Sequence, residues 1–209
     1  AALAKLGPAG SAEVWDDRVT DIATAGDRAV AAALADLFRQ RQLPAVLLSE
    51  EIGRLQLHAQ PHLTVAVDEL DGTDNYSRGQ GLLPCCTVVT VFDRLEPRLA
   101  DACVAGVIEH NSGHLWLARR GGGCTLDGAP ARTSGRTRLD RRALVTVDHY
   151  GSRAAVARLA DWYDAAWVKD FGTAAFHLAG VSSGLFDAYA AAAQKAHELG
   201  AGYLLLRES

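Results

Sequence analysis

The chain has 209 residues, enough to bury a sizeable core, and 49% of them are hydrophobic, an ordinary share for a folded domain. A formal net charge of -4 gives no basic footprint for nucleic acid or an anionic membrane surface, and no apolar run approaches the roughly 20 residues that cross a bilayer. No basic-then-apolar leader opens the sequence, so a cytoplasmic location is expected.

Residues 25–42 carry helical spacing, with Val30, Leu34, Leu37 and Phe38 on one face. Residues 45–49 (AVLLS) read as a short buried strand entering Glu50, and residues 63–67 (LTVAV) as another entering Asp68. Residues 85–92, 102–108 and 114–118 read as successive strands, with Gly121 to Gly123 and Asp127-Gly128 as hairpin punctuation. A strand over 143–147, helices over 152–162 and 173–182, a short strand over 185–190 and a helix over 197–206 complete the pattern. Cys85 and Cys86 are adjacent and no CxxC occurs, so the four cysteines are expected to be small buried hydrophobes rather than disulfides. The arginines of 136–142 read as a solvated loop. Antiparallel-looking groups of strands between helices predict a layered α/β unit, with 1–209 as a single domain. The sequence stops at Ser209 just after an apolar run (YLLLRES), with no cap or closing strand, so a C-terminal continuation is expected.

Two of these strands end in acid. If 45–49 and 63–67 neighbour each other, Glu50, Asp68 and Asp71 meet at one sheet edge, where they repel unless protonated or bridged by a cation. An all-oxygen set without His or Cys favours a hard cation, Mg²⁺ or Mn²⁺, over Zn²⁺. Gly72-Thr73 then turns the chain into what reads as a helix start, whose amides and dipole suit a phosphate. Carboxylates and an anion cradle within one turn point to phosphoryl chemistry; the plain alternative is a solvated Asp-Gly turn. A calcium loop is excluded because Leu70 and Gly72 break its ligand spacing, and an HExxH zinc motif fails because Ala201 stands where its second His belongs.

The stretch DELDGTDNY resembles the D-P-[IL]-D-G-T-x-N-[FY] signature of the inositol monophosphatase family. DIATAGD (21–27), SEEIG, GHLWLARRGGGCTLDGAP, FGTAAFHLAGVSSGLFDAY and HELGAG resemble further elements of that family in its order, so the likeness covers residues 20–208. It implies a five-layer αβαβα sandwich of the inositol monophosphatase and fructose bisphosphatase type, commonly a homodimer. It also implies two or three Mg²⁺ per site, lithium sensitivity and hydrolysis of a small phosphorylated metabolite. By the same resemblance Glu50, Asp68, the Leu70 carbonyl, Asp71 and Glu198 ligate metal. Thr73, with Glu50 and Asp27, orients and deprotonates the attacking water, and the Gly72 and Thr73 amides hold phosphate. Asp71, Gly172, Thr173, Ala174, Ala191 and Lys195 line the substrate pocket.

Three departures stand out. Glu69 replaces the usual proline. Glu198 replaces the usual Asp, with His197 in place of the Trp, and its extra methylene matters because Mg²⁺ tolerates poor geometry badly. Ala191 stands where inositol-selective members carry a Glu that binds sugar hydroxyls. Fructose bisphosphate, histidinol phosphate and a 3′-phosphonucleotide therefore stay open as substrates, as does metal or phosphometabolite binding without turnover. Lys195 is expected to meet a second anionic group on the substrate, its alternative being a surface lysine.

Overall fold

The computed structural model describes residues 2–7, 9–12, 14–18, 21–149 and 153–209. Two short helices, α1 (Ala2–Leu6) and α2 (Ala9–Ala12), precede an antiparallel pair, β1 (Val14–Arg18) and β2 (Asp21–Thr24), all in a stretch whose apolar spacing predicts no element. Helix α3 (Ala25–Gln40) starts at a reciprocal cap. The Thr24 hydroxyl accepts the Gly26 amide at 3.1 Å, while the Asp27 carboxylate takes back the Thr24 amide at 2.6 Å. Val30, Ala31 and Ala35 are buried on this helix; Leu37, expected on the buried face, is 43% exposed.

The large sheet is built from β3 (Ala45–Ser49), β4 (Gly53–Gln56), β5 (Leu63–Asp71), β6 (Cys86–Phe92), β7 (Ala102–Glu109), β8 (Leu115–Arg119), β9 (Gly123–Leu126) and β10 (Ala129–Pro130). Helix α4 (Thr73–Arg78) sits between β5 and β6. The spatial order is β10-β9-β8-β7-β6-β5-β3-β4, and within it only β3 and β5 run parallel. The chain then forms β11 (Leu144–Asp148), α5 (Arg153–Ala165), β12 (Trp167–Lys169), α6 (Ala174–Ser182), β13 (Ala188–Ala191) and α7 (Ala196–Glu208). Strands β12, β11 and β13 make a second, all-parallel sheet. Residue 152, where α5 is expected to begin, lies outside the described residues.

Alternation along β5 sorts its side chains between two cores. Val65 and Val67 join Leu47 and Ala35 under α3, whereas Ala66 joins Cys86, Val88, Leu204 and Leu205 under α6 and α7. Helix α6 also packs on β11 and β13, and α5 covers the small sheet through Leu159 and Trp162 against Val145 and Val147. The layers therefore run α3, large sheet, α6 and α7, small sheet, α5, which is the expected αβαβα sandwich. Gly202 permits the close approach of α7 to α6: a Cβ there would stand 2.5 Å from Leu178 Cδ1.

Several elements differ from the apolar pattern. Strand β5 does not stop at Val67 but continues through Asp68, Glu69 and Leu70 to Asp71. Of the residues read as hairpin punctuation, Gly123 supplies a positive φ of 84° and then enters the ladder as the first residue of β9. The last short strand is shifted to 188–191, since Phe186 is drawn into an aromatic cluster with Phe171 and Phe176. All four cysteines are free, and three of them are buried. Residues 136–142 carry neither helix nor strand, and Arg136 pairs there with Asp140 and Asp187. No helix among the described residues is long and apolar enough to cross a membrane.

Candidate active site

The parallel pair β3 and β5 delivers two acids to one sheet edge. Ser49 is in register with Val67, and the Glu50 amide donates to the Val67 carbonyl at 3.2 Å, which sets Glu50 beside Asp68. On the other side of β5, Asp68 opposes Val88 and Asp71 opposes Cys86, so β5 takes three steps where β6 takes two. A regular strand sends residues three apart to opposite faces; the extra residue brings Asp68 and Asp71 to the same one. Helix α7 lies over that face and contributes Glu198, 2% exposed. Carboxylate oxygens of Glu50, Asp68 and Glu198 all fall within 4.8 Å of one another.

Charge crowding follows. Two full charges at that spacing repel by roughly 3 kcal/mol at an effective dielectric of about 20. Burial first, then Asp71, Glu50 and Glu198, pushes Asp68 well above the usual carboxylate range. Burial, then the Asp71 charge, raises Glu198 to about 8. Burial raises Asp71 to about 6 against the pull of its hydrogen bonds, with Asp148 and Glu50 adding to the rise. One Glu198 oxygen, Oε2, is buried without a partner. A nest of buried, mutually repelling oxygens with an orphaned acceptor fits a hard divalent cation by its donor chemistry. Lys195, at the N-terminal boundary of α7, ion-pairs with Glu50 Oε1 and opposes the rise at both Asp68 and Glu198.

Asp71 is fixed from the opposite side. Its Oδ2 accepts the Thr173 hydroxyl at 2.5 Å and the Ala175 amide at 2.6 Å, at the start of α6. The segment before Thr173 is tied to α4 by Asn75, whose Nδ2 donates to the carbonyls of Phe171 at 2.5 Å and Pro84 at 2.8 Å. Gly72 links β5 to α4 at φ 87°, and a Cβ there would meet the Pro84 carbonyl and Thr173 at 3.2 Å, so the turn excludes a side chain by both conformation and space.

Thr73, 9% exposed, donates its single hydroxyl proton toward the Leu70 carbonyl (2.9 Å) or Asp27 Oδ1 (3.3 Å). Asp27 is buried, and burial raises its pKa against four hydrogen bonds that lower it. Among the described residues no hydrogen bond joins Thr73 to Glu50, so the expected trio is present only as the Thr73 and Asp27 pair, with Glu50 in the carboxylate nest.

Of the expected pocket residues, Thr173 bonds Asp71, Gly172 lies against Asn75 and its carbonyl against Gly72, Ala174 is buried, and Ala191 ends β13 opposite Asp148. Lys195 stands on Glu50. Asp148, 7% exposed at the end of β11, is a site residue that the sequence reading missed. Its signal was the same as at Glu50 and Asp68: a short apolar strand, here 143–147, running into an acid.

A model of the inositol monophosphatase family matches residues 6–209. A Nus factor SuhB of Xylella fastidiosa is 30% identical over 168 residues, covering 78% of this chain and 58% of that protein. An inositol-1-monophosphatase of Mesorhizobium japonicum is 29% identical over 169 residues, covering 78% of this chain and 60% of that one. The chain thus spans about three fifths of the length of these curated relatives. Among solved structures, the extragenic suppressor protein suhB of Bartonella henselae superposes with a TM-score of 0.82 at 22% identity, over 94% of this chain and 74% of that one, a likeness of fold.

Proposed function

The chain belongs to the inositol monophosphatase family, and we propose that it hydrolyses a small phosphate monoester in a Mg²⁺-dependent reaction. The observation that carries this reading is the convergence of Glu50, Asp68 and Glu198 oxygens within 4.8 Å, with the Asp71 charge acting on both Asp68 and Glu198. These residues would hold the metal, which when bound supplies positive charge to acidify a water and neutralise phosphoryl oxygens.

The chain's own groups do the rest. A phosphoryl oxygen sits on the amides of Gly72 and Thr73, in the first turn of α4, which have no partner within the helix. The Thr73 hydroxyl commits its proton to Asp27 or the Leu70 carbonyl, which leaves its lone pairs to accept a hydrogen bond from a water. As that water attacks phosphorus, its proton passes to Thr73 Oγ1 while the Thr73 proton passes to Asp27 Oδ1, a carboxylate made more basic by burial; the ester P–O bond breaks as the new one forms, and the leaving alkoxide takes a proton from bulk water to depart as the alcohol. Thr173 and Ala175 hold Asp71 in place throughout.

A second reading, metal or phosphometabolite binding without turnover, draws on the Glu198 side chain and on the Lys195 pair with Glu50. One assay separates the two: phosphate release from p-nitrophenyl phosphate and a panel of phosphorylated metabolites, with Mg²⁺ and with excess EDTA. Release that needs Mg²⁺ supports hydrolysis. Release undiminished by the chelator overturns the metal-dependent reading, and Mg²⁺ binding without any release supports the second.

A further inference from the structure

The cation that the structure itself supplies to the carboxylate nest is an ammonium group. Lys195 Nζ pairs with Oε1 of Glu50, a carboxylate that is only 12% exposed, while 42% of the lysine side chain remains in contact with solvent. The lysine reaches this place because α7 begins directly after it, so the residue that ends the β13–α7 connection and the residue that begins the helix's buried face, Glu198, address the same carboxylates. Its charge acts beyond Glu50, opposing the proton uptake of both Asp68 and Glu198. Among the described residues the nest thus sets the Lys195 ammonium against Glu50, Asp68 and Glu198, with Asp71 beside them.

We propose that Lys195 is an internal competitor for the divalent cation: its ammonium occupies Glu50 in the metal-free protein and is expelled from Glu50 when the ion binds. The inference rests on the metal-dependent reading of this site. Like charges cannot share one partly buried carboxylate cheaply, and of the two cations only the ammonium has somewhere to go. A divalent ion gains from several oxygens at once, whereas the ammonium ends a flexible four-carbon stem, and the 42% exposure of the lysine side chain gives it a path from Glu50 toward water. The price of the exchange is a weaker apparent metal affinity than the oxygens alone would give. Its consequence is that the lysine becomes available to an anionic ligand only in the loaded site.

The chain contains three lysines, Lys5, Lys169 and Lys195, which makes the exchange readable without any measurement of turnover. In trace competitive acetylation followed by mass spectrometry, the reactivity of Lys195, referenced to Lys5 and Lys169, is expected to rise at least threefold when Mg²⁺ is added. In parallel, Mn²⁺ binding is followed by the electron paramagnetic resonance of the free ion. Lys195→Met, which keeps the apolar stem and removes the charge, is expected to tighten the Mn²⁺ Kd by about three- to tenfold, the scale of one partly exposed ion pair. Lys195→Arg, which keeps the charge, is expected to bind like the wild type. Equal Mn²⁺ affinity in wild type and Lys195→Met, or a Lys195 reactivity unmoved by Mg²⁺, overturns the exchange and leaves the metal site standing. Failure of both proteins to bind Mn²⁺ overturns the metal-dependent function itself, and the exchange with it.

Discussion

Thr173 and Asp71 are 102 residues apart in sequence and joined by a 2.5 Å hydrogen bond from Oγ1 to Oδ2. The bond ties the end of β5 to the start of α6, and the same Thr173 side chain caps that helix by accepting the Phe176 amide at 3.4 Å. Thr173→Val keeps the branched shape and removes the hydroxyl. It is expected to lower stability by about 1–2 kcal/mol, the worth of one buried hydrogen bond and a helix cap, and to slow turnover by loosening Asp71. Asp71→Asn separates the two effects: an amide oxygen still accepts from Thr173 and Ala175, so the fold is expected to survive while Mg²⁺-dependent turnover is nearly abolished. Chemical denaturation and phosphate-release rates on both variants check this, and an unchanged rate in Asp71→Asn would remove the acid from the reaction.

The carboxylate nest makes metal binding and proton release one event. Asp71 is raised to about 6 and Glu198 to about 8, so near neutral pH the metal-free fold holds protons that an unfolded chain, with acids near 4, has given up. Stability from this source is complete at low pH and lost as pH rises through those values. Without metal the melting temperature is therefore expected to fall between pH 6.5 and 8.5, and saturating Mg²⁺, which takes the deprotonated nest, to abolish the fall. Calorimetry in buffers of different ionisation enthalpy should show protons leaving as Mg²⁺ binds. Heats independent of the buffer would contradict the assignment.

His177 gives the opposite slope. It is fully buried on α6, its Nε2 accepts the Phe171 amide at 3.0 Å, and its Nδ1 has no partner. Burial holds its pKa down at about 4, so the fold accepts only the neutral ring. The stability it contributes is present above the unfolded value near 6.5 and lost as pH falls through about 4. The full shift corresponds to about 3 kcal/mol. The stability difference between wild type and His177→Gln is expected to shrink by that order between pH 6.5 and 4. Unfolding curves across this range measure it, and a difference that stays constant with pH would show that the ring is not kept neutral. Phe171 precedes Gly172 and Thr173, so acid should also disturb the segment that holds Asp71.

The carboxylate edge was legible because two apolar runs end in acids: Glu50, Asp68, Asp71, Gly72 and Thr73 could be read from two strands and a turn. The continuation of β5 through Asp71 was not legible, because Asp and Glu carry poor strand propensity and only the bulge opposite Val88 and Cys86 explains how both aspartates serve one face. Strand β12 and the hairpin of β1 and β2 are too short or too polar to show a period. The pairing of Lys195 with Glu50 depends on how α7 crosses β5, and no spacing in the sequence encodes that crossing. Leu37 failed for a simpler reason: Ala31 and Ala35 bury the helix face instead, and alanine carries little weight in an apolar pattern.

Substrate choice is expected to turn on Ala191. It ends β13 in register with Asp148 at the end of β11, and the Asp148 charge reaches Asp71. In the proposed function, the wall beside the phosphate pairs this methyl group with a carboxylate. A methyl group offers no acceptor for a sugar hydroxyl, and a site without that acceptor discriminates weakly between polyol and simple aryl phosphates. The wild type is accordingly expected to act on a broad set of monoesters, without strong preference for inositol phosphate over p-nitrophenyl phosphate. Ala191→Glu adds the acceptor, but places a second acid beside Asp148, so its gain should appear only with substrates whose hydroxyls bridge the two. The ratio of kcat/KM for inositol phosphate to that for p-nitrophenyl phosphate is expected to rise by about tenfold, the worth of one hydrogen bond to a charged group. Measurement of both substrates on both proteins decides the matter. A wild type that already prefers inositol phosphate by several orders of magnitude would show that hydroxyl recognition comes from elsewhere, with Asp148 the first residue to test by its own Asp148→Asn substitution.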